Sequence, residues 1–131
     1  MAATVLICDD DSAIRTVLNQ ALGRAGYDVR CASDGEEAWS EIQRSCPDLL
    51  LTDCQMPRLD GISLCRRLRA SPEYASLPVM MLTAKGYELR SELEELKILG
   101  LIAKPFSPRE LLDRVNAVLG VGEPVVTGAV T

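Results

Sequence analysis

The sequence predicts an α/β protein in which a parallel sheet carries helices on both faces. Five strand-like segments alternate along the chain with five segments whose apolar residues recur at helical spacing. Three of the strand-like segments are almost continuously apolar, which is the pattern of strands buried on both faces of a sheet. The chain has 131 residues, of which 47% are hydrophobic, and this is enough for one domain with a sizeable core.

The strands are predicted from apolar runs and from alternation. Residues 4–8, 48–52 and 79–82 are the three apolar runs, and residues 101–103 form a shorter one. Residues 27–32 alternate between apolar and polar side chains, which predicts a half-exposed strand at an edge of the sheet.

The helices are predicted from capping signals and helical spacing. Asp11 or Ser12 can cap the first helix, and Gly26 can end it. The segment Ser33-Asp34-Gly35-Glu36 resembles a capping box for the second helix. The other three helices are predicted to begin at Asp60-Gly61, at Gly86 and at Ser107-Pro108, and the last of them ends at Gly120. Residues 121–131 lack periodicity, so we predict one domain over residues 1–120 followed by a tail or linker.

Composition argues against several functional classes. The net charge of −5 is unfavourable for nucleic acid or a membrane surface as the main partner. The chain has no histidine, which removes His-based acid–base catalysis and Ser–His or Cys–His nucleophile pairs. The five cysteines form no CxxC pair, which favours reduced thiols in a cytoplasmic protein. Among them Cys54 is either a packing residue or a redox-sensitive thiol. No signal-peptide or membrane-span pattern is recognised.

Reactive side chains follow the predicted strands at their carboxyl ends, where ligands bind in sheets of this kind. Asp9 and Asp10 follow the first strand, Asp53 the third, Thr83 the fourth and Lys104 the fifth. If the first and third strands are neighbours, three carboxylates cluster and repel one another unless a cation joins them. Mg²⁺ is the usual hard cation where phosphate is also present. Carboxylates, a hydroxyl and an ammonium together can hold a phosphoryl group in transfer, with an aspartate as the nucleophile.

These motifs resemble the response-regulator receiver domain of two-component signalling, in a single-domain, chemotaxis-regulator-like form. The resemblance covers about residues 4–120 and rests on motifs that occur in the family's order. They are Asp9-Asp10, Asp53 with Met56-Pro57 and Asp60-Gly61, Thr83-Ala84, and Lys104-Pro105-Phe106. It implies a flavodoxin-like, doubly wound (βα)5 fold with strand order 2-1-3-4-5. It also implies a cytoplasmic switch that is controlled by phosphorylation and is not a metabolic enzyme.

The resemblance implies how the phosphoacceptor and the metal site are built. Asp53 accepts a phosphoryl group from a phosphohistidine of a sensor histidine kinase or a phosphotransfer protein. Asp10, Asp53 and the backbone carbonyl of Gln55 bind Mg²⁺, or Mn²⁺ in its place, and Asp9 holds the water molecules of the metal. The domain phosphorylates and dephosphorylates itself in a Mg²⁺-dependent reaction.

The remaining implied roles concern the phosphate and the response to it. Thr83 hydrogen-bonds the acyl phosphate, Lys104 pairs with Asp53 or its phosphate, and the peptide bond between Lys104 and Pro105 is cis. A downstream protein binds residues 86–120, the surface formed by the fourth helix, fifth strand and fifth helix. The domain is expected to be a monomer or a weak dimer that binds neither nucleic acid nor a membrane.

The sequence departs from the family pattern near this surface. Leu101 stands where the family usually has an aromatic residue, three positions before the lysine, and it has no ring to swing inward. We therefore hypothesise that the response travels through the loop of residues 84–86. Lys85 either pairs with the phosphate and slows its hydrolysis or is a solvated lysine, and Gln55 occupies a comparable position after Asp53.

Two other functions remain open at this point. The acidic run Asp9-Asp10-Asp11 also fits the DxD opening of haloacid-dehalogenase-like phosphatases, with Asp9 as the nucleophile, although Asp53 would then have no role. Alternatively, the chain is a degenerate receiver that acts only as an interaction scaffold, an interpretation that only Leu101 supports.

Overall fold

The computed structural model describes residues 2–84 and 90–120 of the chain. Within these ranges strands and helices alternate strictly. They are β1 Thr4–Cys8, α1 Ser12–Arg24, β2 Asp28–Ala32, α2 Gly35–Arg44, β3 Leu49–Asp53, α3 Gly61–Ala70, β4 Val79–Thr83, α4 Arg90–Glu95, β5 Gly100–Ala103 and α5 Pro108–Leu119. The strands form one parallel sheet in the order β2-β1-β3-β4-β5. This confirms the doubly wound fold and places the alternating strand at an edge.

Two apolar cores lie on opposite faces of the sheet. Because successive side chains of a strand point to opposite faces, Val5 and Ile7 join one core, and Leu6 and Cys8 join the other. Strands β3 and β4 are buried along their whole length, as their apolar sequences predict. Helices α1 and α5 cover the first core, to which they contribute the buried residues Leu18, Leu22, Leu111 and Val115. Helices α2 and α3 cover the second core, to which they contribute Ala38, Ile42, Leu64 and Leu68. In the described ranges no helix combines the length and apolar character needed to cross a bilayer.

The caps of the first two helices refine the sequence predictions. Asp11, rather than Ser12, caps α1 by accepting a hydrogen bond from the N–H two residues on at 2.9 Å. The predicted capping box of α2 lies one residue later than expected. Asp34 accepts from the N–H of Glu37 at 2.8 Å, and the Glu37 carboxylate accepts from the N–H of Ser33 at 2.7 Å. The shift arises because Glu37, and not Glu36, is three residues after the cap.

The later helices differ more in their ends than in their starts. Ser107 caps α5, and Gly120 ends it in the left-handed conformation at φ 66°, both as predicted. The predicted start of α4 at Gly86 lies outside the described residues. The sequence pattern predicts a helix as far as Leu99, but the described part of α4 ends at Glu95 because the chain turns at Lys97, whose φ is +55°. Val17 is one of the apolar residues that recur at helical spacing in α1, but it is 43% exposed.

Candidate functional site

The carboxyl ends of the central strands bring three polar side chains into a largely buried position. Asp9 follows β1 and is 0% exposed, Asp53 is 7% exposed, and Thr83 is 3% exposed. Asp53 is the last residue of β3 rather than the first residue after it, because the pairing with β4 continues as far as Leu82. Since β1 and β3 are neighbours in the sheet, Asp9 and Asp53 lie side by side, as the sequence predicted.

Three carboxylates form the acidic cluster that was expected from the strand order. Asp9, Asp10 and Asp53 offer carboxylate oxygens that all lie within 4.8 Å of one another. Two of them are buried and Asp10 is exposed, so the cluster opens to solvent on one side. Hard oxygen donors at this spacing suit a divalent cation such as Mg²⁺. The donor set therefore fits the metal implied by the sequence.

The environment of Asp53 makes its charge costly. Burial raises the pKa of Asp53, and the neighbouring charge of Asp9 raises it further. The ammonium of Lys104 and the backbone N–H of Gln55 act in the opposite direction without cancelling these effects. A cation that binds the cluster would relieve this repulsion, so the site is electrostatically prepared for one.

Lys104 bridges the two buried carboxylates. Its Nζ lies 2.8 Å from Asp9 Oδ2 and 3.3 Å from Asp53 Oδ2, so the shorter contact is with Asp9 and not with the expected partner. Burial disfavours the ammonium, but the hydrogen bond and charge of Asp9, together with those of Asp53, outweigh it and raise the pKa of Lys104. The lysine therefore stays charged at neutral pH. The peptide bond between Lys104 and Pro105 is cis, as the resemblance implied.

Two hydrogen bonds from residues just after β1 hold Asp9 in place. Its Oδ1 accepts a hydrogen bond from the N–H of Asp11 at 2.9 Å, and its backbone carbonyl accepts from Arg15 at 2.7 Å. Asp11 is exposed and serves as the cap of α1, which agrees with its interpretation as a cap and not a ligand. Arg15 was not singled out from the sequence. A cation one helical turn into α1 was the only available signal.

The segment after Asp53 depends on a close approach that the sequence marked only as a helix start. The N–H of Gly61 donates to the carbonyl of Cys54 at 3.0 Å. A Cβ at Gly61 would overlap the carbonyl oxygen of Asp53 and lie 3.2 Å from the Cα of Cys54. The absence of a side chain therefore lets α3 begin directly against the end of β3.

The cysteines near the site are buried, which disfavours the thiolate form on which their reactivity depends. Burial, followed by the charge of Asp53, raises the pKa of Cys54 to about 11, which keeps the thiol protonated at neutral pH. Burial likewise raises the pKa of Cys8 to about 12. All five cysteines are unpaired, which is consistent with reduced thiols. Packing is therefore the better interpretation of Cys54.

The structure describes only some of the residues that are predicted to modulate the response. Leu101 is half-buried and packs against the core under α2 and α3. Lys85 and Gly86, and with them the proposed route through residues 84–86, lie outside the described residues, as do residues 121–131. Ala84 is exposed at the end of β4.

Comparison with known proteins gives concordant matches. The sequence matches the family of response regulator receiver domains over residues 5–116. It is 44% identical over 120 residues to the alkaline phosphatase synthesis transcriptional regulatory protein PhoP of Bacillus subtilis, covering 91% of this chain and 49% of that protein. The chain spans about half the length of the curated relatives it matches.

Solved structures agree in fold and in chain length. Chemotaxis protein CheY4 of Vibrio cholerae superposes with a TM-score of 0.84 at 33% identity, covering 90% of this chain and 99% of that one. The receiver domain of a sensor histidine kinase from Pseudomonas aeruginosa gives a TM-score of 0.82 at 30% identity, covering 92% and 99%. That structure holds a magnesium ion coordinated in its active-site cleft.

Proposed function

Because the chain belongs to the response-regulator receiver-domain family, and so is a phosphorylation-dependent signalling switch, we propose that Asp53 is the residue that accepts the phosphoryl group. The observation that carries the proposal is the position of this carboxylate. It lies at the end of the central strand β3, inside the acidic cluster, with the Lys104 ammonium 3.3 Å away. Residues 1–120 form the receiver domain in this proposal, and the family match over 5–116 supports these bounds.

The proposed reaction is a displacement at phosphorus. A carboxylate oxygen of Asp53 attacks the phosphorus of a phosphohistidine on a histidine kinase or phosphotransfer protein, the P–N bond breaks, and the imidazole leaves. Lys104 stabilises the negative charge of the phosphoryl oxygens, and the Thr83 hydroxyl donates a hydrogen bond to the bound acyl phosphate. Water later attacks the phosphorus of the acyl phosphate, the bond between phosphorus and the Asp53 oxygen breaks, and inorganic phosphate leaves as the carboxylate is restored.

A divalent cation completes the proposed site. The carboxylates of Asp10 and Asp53 and the backbone carbonyl of Gln55 would hold Mg²⁺, with Asp9 orienting its water molecules, and Mn²⁺ would fit the same oxygens. Bound Mg²⁺ would neutralise charge on the transferring phosphoryl group. The magnesium ion in the Pseudomonas aeruginosa relative supports this assignment.

The proposed output is a change in the surface around residues 86–120, which a downstream protein then binds. Leu101 lies on β5 within that surface and packs against the α2–α3 core. An aliphatic side chain cannot report the phosphate by moving a ring, so we propose that the response travels through residues 84–86. The relative PhoP is a transcriptional regulator about twice as long as this chain.

Incubation with acetyl phosphate and Mg²⁺, followed by intact-mass measurement, tests the proposed function. We expect about one phosphoryl group per chain, dependent on Mg²⁺, because a single carboxylate forms the acyl phosphate. Peptide mapping should locate it at Asp53. Multiple-turnover release of phosphate that requires Asp9 would instead indicate a phosphatase. A chain that is not labelled, and whose amides near Asp53 do not change on titration with Mg²⁺, would be a degenerate scaffold.

Replacing Lys104 by methionine is expected to slow labelling and strengthen metal binding at the same time. Loss of the ammonium removes stabilisation of the transferring charge, which should cost on the order of 100-fold in the labelling rate. The same loss removes a cation that competes with Mg²⁺ for Asp9 and Asp53, so Mg²⁺ should bind more tightly. Time-resolved intact-mass measurement and Mg²⁺ titration followed by calorimetry give the two quantities.

An exposed cation on α5 provides the control for Lys104. Arg109 is 83% exposed in its side chain and pairs only with Asp113 among the described ion pairs. The Arg109→Met variant should label and bind Mg²⁺ as the unaltered chain does. A Lys104→Met variant whose labelling rate stays within twofold of this control would show that the ammonium does not act in the transfer.

A further inference from the structure

The loop of residues 54–60 joins the proposed phosphoacceptor strand to α3 and contains an unusual backbone conformation. Arg58 has φ +71°, in the left-handed region. Non-glycine residues seldom adopt this region, and those that do are mostly asparagine and aspartate. An arginine there requires contacts that hold it in place.

An ion pair holds Arg58 to the start of α2. Its guanidinium lies 3.0 Å from Oδ2 of Asp34, whose side chain is only 13% exposed. The other oxygen of the same carboxylate, Oδ1, accepts the N–H of Glu37 at 2.8 Å and so caps α2. One carboxylate therefore fixes both the end of a helix and the middle of the loop.

The Arg58 side chain itself is 63% exposed, but the residues next to the ion pair in the chain pack closely. A Cβ at Gly35 would lie 2.7 Å from Leu59 Cβ, so α2 begins directly against the loop. The Cys8 thiol at the end of β1 lies 3.2 Å from the carbonyl of Asp34 and 3.3 Å from Met56 Sδ. The loop, the start of α2 and the end of β1 thus meet at one point beside the acidic cluster.

Gln55 lies between two anchors of the same loop. On one side, two backbone hydrogen bonds hold Cys54. Its N–H donates to the carbonyl of Leu82 at 3.0 Å, and its carbonyl accepts from the N–H of Gly61 at 3.0 Å. On the other side the anchor is the ion pair of Arg58 with Asp34, the one salt bridge that residues 54–60 make within the described part of the chain.

We propose that Asp34 and Arg58 are positioning residues for the metal site, acting through the loop that carries Gln55. The proposal rests on the proposed function, since that function assigns the Gln55 carbonyl as a metal ligand. Neither residue belongs to the acidic cluster of Asp9, Asp10 and Asp53. By fixing the loop before the metal arrives, the pair spares the cost of ordering it on binding, and the affinity for Mg²⁺ depends on the pair.

Two single variants and their combination test the pair in the full chain, with Mg²⁺ alone as the probe. Asp34→Asn keeps an oxygen for the α2 cap and removes the charge, and Arg58→Asn tolerates the left-handed backbone and removes the cation. Each should weaken Mg²⁺ binding by on the order of 10-fold in calorimetric titration. The double variant should bind Mg²⁺ with about the same affinity as the more affected single variant, because both substitutions remove the same anchor.

A more exposed ion pair outside the loop is the control. Arg66 on α3 lies 2.6 Å from Glu95 on α4, outside the loop, with side chains 48% and 55% exposed. Arg66→Asn should leave Mg²⁺ affinity unchanged. Urea unfolding in metal-free buffer separates positioning from simple stabilisation, because a purely structural pair would lower the free energy of unfolding without changing the affinity of the folded chain.

Two results would overturn the proposal. One is an affinity within twofold of the unaltered chain in both single variants, and the other is losses that add in the double variant. Failure of the proposed function is a separate outcome, because it would appear as an unaltered chain that neither binds Mg²⁺ nor becomes labelled by acetyl phosphate.

Discussion

Replacing Asp53 with asparagine should reduce phosphoryl incorporation from acetyl phosphate to background, a loss of at least about 100-fold. The amide has nearly the same shape as the carboxylate, but it cannot act as the nucleophile. Intact-mass measurement after incubation with Mg²⁺ gives the extent of labelling. Asp11→Asn is the matched control, because the exposed side chain of Asp11 lies near the site and only caps α1, and asparagine caps a helix equally well.

Persistent labelling of the Asp53→Asn variant would mean that another carboxylate, Asp9 or Asp10, is the acceptor. Asp9 is poorly placed for that role because it is fully buried and already holds Lys104 at 2.8 Å. Asp10 is exposed and belongs to the same cluster, so peptide mapping of any residual label would distinguish the two.

The same substitution should stabilise the metal-free fold at neutral pH. Burial and Asp9 raise the pKa of Asp53 above its unfolded value, so the folded state binds more protons there than the unfolded state does. The resulting cost to stability is fully present above the raised folded pKa and disappears as the pH falls below 3.8, the ordinary pKa of an aspartate. Thermal unfolding in EDTA should therefore give Asp53→Asn a higher melting temperature at pH 7, with the advantage shrinking under acid conditions.

The residues of the acidic cluster were predictable because each stands at the end of a strand. In a parallel sheet all carboxyl ends share one edge, so an apolar run that ends in Asp9 or Asp53 also fixes where that acid lies. Lys104 follows the same rule from β5. Which carboxylate the lysine contacts more closely was not predictable, because the answer depends on side-chain torsions and on distances of a few tenths of an ångström.

The supporting residues could not be predicted because their roles arise from contacts between distant elements. Arg15 supports the carbonyl of Asp9 from α1, and Arg58 reaches Asp34 across 24 positions of sequence. Arginine is common on protein surfaces, and neither helical periodicity nor a motif distinguishes these two from solvated side chains. The left-handed backbone at Arg58 is visible only in three dimensions, since the residue type argues against it.

Gly61→Ala is expected to destabilise the fold by about 3 kcal/mol, close to the upper end for overpacking. Its backbone has no left-handed requirement, so the cost comes from space alone: the added Cβ would overlap the carbonyl oxygen of Asp53. That oxygen belongs to the backbone of the buried strand β3, which has no room to retreat. Urea unfolding in metal-free buffer measures the change in the free energy of unfolding.

Gly23→Ala is the matched control because it makes the same chemical change where there is room for it. Gly23 lies within α1, and apart from its chain neighbours and the backbone of its own helix no atom lies within 4 Å of a Cβ built there. Alanine should therefore stabilise the helix by roughly 0.5–1 kcal/mol. If both variants changed the free energy of unfolding equally, the close approach of α3 to β3 would not be the cause of the change at Gly61. Opposite signs would show that Gly61 is required because α3 begins against the backbone that presents Asp53.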